Sequence, residues 1–166
     1  VQGTIGYFHH QGCCQLPIDL KRVTDTLSNL GQSPNVGAAL IVSLGCEGTD
    51  HARMYQEIHA AGKPVEIIGI QKLGGVSKAV AAGIDAAAGL VRKISGQQRE
   101  EADLSEVVLS IKCGASDATS GMASNCALGY AADKLVSLGG TVIFGETTEF
   151  IGAEHILMRR AVNQEV

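Results

Sequence analysis

The chain has 166 residues, 45% of them hydrophobic and 18% charged, with a mean hydropathy of +0.16. That composition supplies a packed core and excludes a disordered segment. Thirteen basic and seventeen acidic residues give a net charge of -4 without any Lys/Arg-rich run, so the electrostatic footprint of a nucleic-acid binder is missing, and no apolar run reaches membrane-spanning length.

Glycine contributes 21 residues and aromatics only 4%, with no Trp, so an aliphatic core with many tight turns is expected. Five cysteines (Cys13, Cys14, Cys46, Cys113 and Cys126) are an odd number in a chain long enough to fold without disulfide staples. Thiols or metal ligands in a cytoplasmic setting are the expectation. The opening Val1-Gln2-Gly3-Thr4-Ile5 carries no basic-then-apolar leader and reads as the start of a soluble, excised piece.

Thr4 to Phe8 reads as a first strand leading into HHQGCC. A helix follows from Pro17 and Asp19, with Leu20, Val23, Leu27 and Leu30 at helical spacing and Gly31 closing it. Ala38 to Leu44 reads as a second strand ending at GCEGTD, where Thr49 or Asp50 caps a helix through Ala61. Val65 to Ile70 is a third strand, and Val76 to about Ile94 a helix weakened by Gly83 and Gly89. Residues 95–105 are polar and predict a surface loop.

Val107 to Ile111 is the fourth expected strand, followed by the polar turn KCGASDATSG and a helix over Met122 to Leu138, with Leu128, Ala132, Leu135 and Val136 inward. Thr141 to Phe144 is the fifth strand, and Ile151 to Ala161 a final helix. Strands alternating with helices predict a single three-layer α/β domain over 1–166, with a mostly parallel, Rossmann-like sheet of about five strands covered on both faces. Such sheets gather function at the carboxyl ends of their strands, where HHQGCC, GCEGTD, QKLGG, KCGASD and GETTE all fall.

Cys13, Cys46 and Cys113 each follow an expected strand. Three thiolates at one edge suit iron, as Fe2+ or an iron-sulfur cluster, with a coordination position open for Lewis-acid chemistry. The alternative is that each is a small buried hydrophobe. His9 and His10 suit metal ligation or general-base work, or are hydrogen-bonded loop histidines. Glu47 suits proton transfer, or is a solvated loop carboxylate. Ser116, Asp117 and Ser120 precede a helix, where they cap it or meet a substrate carboxylate. Glu146 is best placed of the late glutamates to face the crevice. No GxGxxG, P-loop, HExxH or GxSxG signature occurs.

H-x-x-G-C at His9 to Cys13, continuing to Gln15, L-G-C-E at Leu44 to Glu47 and I-Q-x-x-G-G at Ile70 to Gly75 precede a long block, KCGASDATSGMASNCALG, at Lys112 to Gly129. Asp133, Gly139-Gly140-Thr141 and E-x-x-E-x-x-G-x-E at Glu146 to Glu154 follow. In this order the motifs resemble the altronate/galactarate dehydratase family, which also includes sulfolactate sulfo-lyase large subunits. The chain departs from the usual pattern at Cys14, where glycine is usual, and at Ala115, Cys126 and Thr148.

The resemblance implies metal-assisted, iron-dependent elimination of water from a sugar acid such as altronate or galactarate, giving a 2-keto-3-deoxy acid. Carbon–sulfur elimination from sulfolactate and a non-catalytic domain of such an enzyme are the alternatives. Placed on the motifs, metal ligation falls to Cys13, Cys46 and Cys113 and proton transfer to His9 or Glu47. Gln15, Ser116, Asp117, Ser120, Asn125 and Glu146 become substrate-facing. The expected partners are the small-molecule substrate, the remainder of a longer enzyme or a second subunit, and another copy of the chain, with neither nucleic acid nor membrane.

Overall fold

The computed structural model describes residues 1–9 and 12–163. The chain divides into two compact units, Val1–Gln98 and Arg99–Val166, and the boundary falls inside the polar 95–105 segment, which is exposed along its length.

In the first unit, α1 (Pro17–Gln32) begins with proline at its first position, where the missing N–H is not needed. β1 (Ala39–Ser43) and β2 (Val65–Gly69) pair in parallel, Ala39 opposite Val65 and Ser43 opposite Gly69. The crossover between them is α2 (His51–Ala60), and α3 (Val76–Ile94) follows β2. Both α2 and α3 pack on the strand pair, and α1 packs on α2. Ile58, Met54, Val65, Ala79 and Leu90 form the buried core, with Ile58 only 1% exposed. Gly31 lets α1 approach that core, because a methyl group there would overlap Ile58 Cδ1.

A polar seam also joins α1 to α2. The buried Ser28 hydroxyl donates to Glu57 Oε2, Arg53 Nε donates to Glu57 Oε1 at 2.7 Å and Arg53 Nη2 to Asp25 Oδ1 at 2.7 Å. Lys21 Nζ reaches Asp25 Oδ2 at 2.6 Å. The hydrogen bonds from Lys21 and then Arg53 hold the Asp25 carboxyl below its ordinary range, and those from Ser28 and then Arg53 do the same for Glu57.

In the second unit, β3 (Val108–Ile111) and β4 (Thr141–Phe144) pair in parallel, Val108 opposite Thr141 and Ile111 opposite Phe144. A π-helical turn, Ser120–Ser124, runs into α4 (Asn125–Ser137), which packs on β4. A short α5 (Glu154–Met158) ends the described structure. Among the described residues of this unit only Gly140 is buried.

Strand–helix alternation and parallel pairing agree with the expected α/β class, and α1, β1, β2, α3 and β4 fall close to their predicted bounds. The described strands form two separate two-stranded sheets, not a five-stranded one. Residues 4–8 form no strand: the Thr4 amide bonds back to the Val1 carbonyl, Ile5 is 96% exposed, and among the described residues β1 pairs with β2 alone. An apolar run becomes a strand only where a ladder partner satisfies its backbone. The final helix is five residues, not eleven. Leu128 and Val136 are exposed, whereas Ala132 and Leu135 are half-buried.

Candidate active site

In the first unit the loop after β1 turns sharply at Gly45, whose φ of 118° is open to glycine and strained for other residues. The turn lets the Gly45 amide donate to Glu47 Oε2 at 2.6 Å, while the buried Ser43 hydroxyl donates to Glu47 Oε1. Burial pushes the Glu47 carboxyl up, but the Ser43 and Gly45 donors and the neighbouring His51 outweigh it, and its pKa falls below the ordinary value. Glu47 is thus an anion whose oxygens are already engaged.

Asp50 then caps α2, accepting from the Arg53 amide at 2.9 Å. This fixes the residues on either side of it. Thr49 is 7% exposed, and its Oγ1 has no hydrogen-bond partner among the described residues. His51 opens α2 with Nδ1 buried, 3.6 Å from Glu47 Oε1.

Glu47, Thr49 and His51 line a cleft of about 450 Å³ together with His9 and Cys13, and Leu27, Leu30, Ile41 and Ile58 contribute to its apolar wall. Three residues singled out from the sequence, His9, Cys13 and Glu47, therefore share one cleft. Cys46 is exposed on the same loop and does not line it. Gln15 is half-buried in the turn before α1. His10 lies outside the described residues.

Cys14 has a φ of 60°, the left-handed region that glycine enters freely and other residues enter at a cost. The backbone here explains the glycine expected at this position. Sequence reasoning missed Ser43, Thr49 as a cleft residue, and His51. The spacing of four between Glu47 and His51 was available as a signal, but a single histidine beside a helix start does not announce its partner.

In the second unit the polar residues gather at the carboxyl ends of β3 and β4. Lys112 Nζ pairs with Glu146 Oε1 at 2.7 Å, and Glu146 sits in the left-handed region at φ 62°. The hydrogen bond that Lys112 donates to Glu146 raises the pKa of Lys112. Cys113 Sγ and Ser116 Oγ lie 3.1 Å apart. Asp117 Oδ1 accepts from the Thr119 hydroxyl at 2.6 Å and from the Thr119 and Ser120 amides at 2.7 and 3.1 Å, while Ser120 Oγ accepts from the Asp117 amide at 3.0 Å. These two residues organise the turn before α4. Asn125 opens α4 and is exposed.

All five cysteines are free and exposed. Cys13 and Cys46 belong to the first unit and Cys113 to the second. Among the described residues no group of three His, Cys, Asp or Glu side chains could hold a metal ion. No helix among the described residues is long and apolar enough to cross a membrane.

Residues 1–95 match the family model described as D-galactarate dehydratase/Altronate hydrolase, second domain, and residues 104–166 match D-galactarate/Altronate dehydratase, C-terminal. The altronate dehydratase of Bacillus subtilis is 36% identical over 159 residues, covering 95% of this chain and 31% of that protein. The (2R)-sulfolactate sulfo-lyase subunit beta of Chromohalobacter salexigens is 38% identical over 166 residues, 100% of this chain and 42% of that one. The galactarate dehydratase (L-threo-forming) of Escherichia coli is 39% identical over 150 residues, 85% of this chain and 28% of that one. The chain spans roughly a third of the length of these relatives. No solved structure matches it. The chain belongs to the D-galactarate/altronate dehydratase family.

Proposed function

We propose that this chain is part of a lyase that eliminates water from a polyhydroxy acid such as altronate or galactarate, giving a 2-keto-3-deoxy acid. The observation that carries this reading is the cleft of the first unit. It collects His9, Thr49, His51 and the anionic Glu47 beside the carboxyl end of a parallel strand, in a chain of a dehydratase family. Such a reaction needs a proton taken from the carbon α to a carboxylate and a proton given to the leaving hydroxyl. His9 and His51 are cleft residues suited to proton transfer, and Glu47 supplies a fixed negative charge.

Gln15 in the first unit, and Ser116, Asn125 and Glu146 in the second, are proposed substrate contacts. Asp117 and Ser120 are proposed with them, although most of their hydrogen bonds are directed at each other and at Thr119. A cytosolic setting is part of the reading, supported by the five free cysteines.

The full-length protein containing this chain, incubated with altronate and with galactarate, is expected to release a 2-keto-3-deoxy acid. Absence of turnover on a broad sugar-acid panel overturns the proposal. Iron held by Cys13, Cys46 and Cys113 is tested separately by metal analysis of that protein. Loss of iron in each Cys→Ser variant supports thiolate ligation, and unchanged iron removes it. A second reading, carbon–sulfur elimination, is favoured by the similarity to the sulfo-lyase subunit along the whole chain. Release of sulfite from sulfolactate would select it.

A further inference from the structure

We infer that His51 is the proton-transfer group of this cleft, that Glu47 positions it, and that the Thr49 hydroxyl meets a hydroxyl of the ligand. The inference deepens the lyase reading and rests on it for the reaction. The pairing itself stands on the geometry.

Glu47 is poorly placed to carry a proton itself. Both its oxygens already accept, one from the Ser43 hydroxyl and the other from the Gly45 amide, and a carboxylate so held is a fixed charge. The group beside it is His51. Its Nδ1 is buried and has no hydrogen-bond partner among the described residues, while Glu47 Oε1 stands 3.6 Å away. That separation is too long for a hydrogen bond, yet catalytic hydrogen bonds are commonly long before substrate arrives and tighten when it binds. The side chain as a whole is 43% exposed and lines the cleft, so the nitrogen turned to the ligand in this assignment is Nε2. A carboxylate beside one ring nitrogen of a histidine that lines a cleft is an arrangement that fixes a tautomer and presents the other nitrogen as a base.

Thr49 supplies an independent observation. Its side chain is more than nine-tenths buried, lines the same cleft, and carries a hydroxyl with no partner among the described residues. Buried hydroxyls are seldom unpaired. Thr49 and His51 flank the capping residue Asp50, whose carboxylate is committed to the Arg53 amide, and the His51 amide bonds to the Thr49 carbonyl at 3.0 Å. The helix cap thus holds both side chains at the cleft. The other titratable groups lining it are Tyr7, His9 and Cys13.

In the reaction, His51 Nε2 takes the proton from the carbon α to the carboxylate. The released electron pair forms the carbon–carbon double bond as the β carbon–oxygen bond breaks. The imidazolium returns the same proton to the departing hydroxide, which leaves as water, and the enol tautomerises to the keto acid. His51 ends as it began, and Glu47 stabilises the imidazolium in between.

The test uses the full-length protein, with altronate, galactarate and sulfolactate as substrates. His51→Gln and His51→Ala are expected to lower kcat by ~10²- to 10⁴-fold with KM changed only a few-fold. Added imidazole is expected to restore part of the His51→Ala rate, which a structural role does not explain. Glu47→Gln is expected to cost ~10- to 100-fold in kcat. Thr49→Val is expected to raise KM without lowering kcat, and an unchanged KM removes Thr49 from the proposal.

Nitrogen-15 spectra of the wild-type imidazole are expected to place the neutral-form proton on Nδ1, with that preference lost in Glu47→Gln. An active wild type whose His51→Gln variant keeps kcat within ~3-fold overturns the assignment of His51 while leaving the lyase reading intact. An inactive wild type that still has the Glu47-dependent tautomer overturns the lyase reading and leaves the pair. A proton on Nε2 in the wild type overturns the pair itself, whether or not any variant folds.

Discussion

The two units use the same device, a pair of parallel strands followed by a helix, with opposite results for burial. In Val1–Gln98, three helices enclose Ile58, Leu90 and Met54, and the α1–α2 seam is cross-linked by Ser28, Arg53, Glu57 and Asp25. In Arg99–Val166, Val108, Val136 and Ile143 are each more than half exposed. Strand pairing alone does not make a core, because a parallel pair becomes stable when helices bury its faces.

The sharpest way to break this comparison is at Ile58. Ile58→Ala is expected to cost ~2–5 kcal/mol, because the cavity opens in the buried core of the first unit. Val136→Ala in the second unit should stay within ~0.5 kcal/mol. Urea midpoints of the two variants measure both, and equal costs would mean that the units are packed alike.

Next comes the α2 cap. Asp50→Ala removes the acceptor for the Arg53 amide and is expected to cost ~0.5–2 kcal/mol by the same measurement. Cys14→Gly should act in the other direction. It relieves the left-handed backbone at φ 60° and raises stability by up to ~1 kcal/mol, part of the gain being offset by the freer unfolded chain.

The seam between α1 and α2 predicts a pH dependence of the first unit. Asp25 and Glu57 both have folded pKa values below their ordinary ones. The stability they contribute is therefore present above the usual carboxylate range and is lost as pH falls through the lowered folded values. Urea midpoints followed down into acid should fall there, and fall less for Asp25→Asn. The smallest effect is expected at the Arg160–Asp133 pair, open to solvent on both sides, where Asp133→Asn should leave the midpoint unchanged.

Much of this fold was legible from local signals. α3 follows an apolar pattern to a basic last turn, and α2 begins where Asp50 offers a cap. Failures came where a partner decides the outcome. Thr4–Phe8 has strand-forming residues, but a strand exists only with its ladder. Leu128 and Val136 have helical spacing, but burial needs a surface to receive them. The motifs around Cys13 and Glu47 were equally legible as motifs. Their geometry was not, because the orientation of Glu47 depends on the backbone turn at Gly45 and on the Ser43 hydroxyl at the strand end.

By itself the sequence determined the positions of most elements, the α/β class and the family, since these rest on periodicity, caps and motif order along the chain. Tertiary structure alone decided what the residues of the β1–α2 loop can do. It engaged Glu47 with donors from the end of β1 and from its own loop, left the Nδ1 of His51 3.6 Å from that carboxylate with no hydrogen bond among the described residues, and buried the Thr49 hydroxyl at the cleft. The physical reason is that hydrogen-bond distances and burial belong to atoms brought together in space, and a pattern read along the chain contains neither.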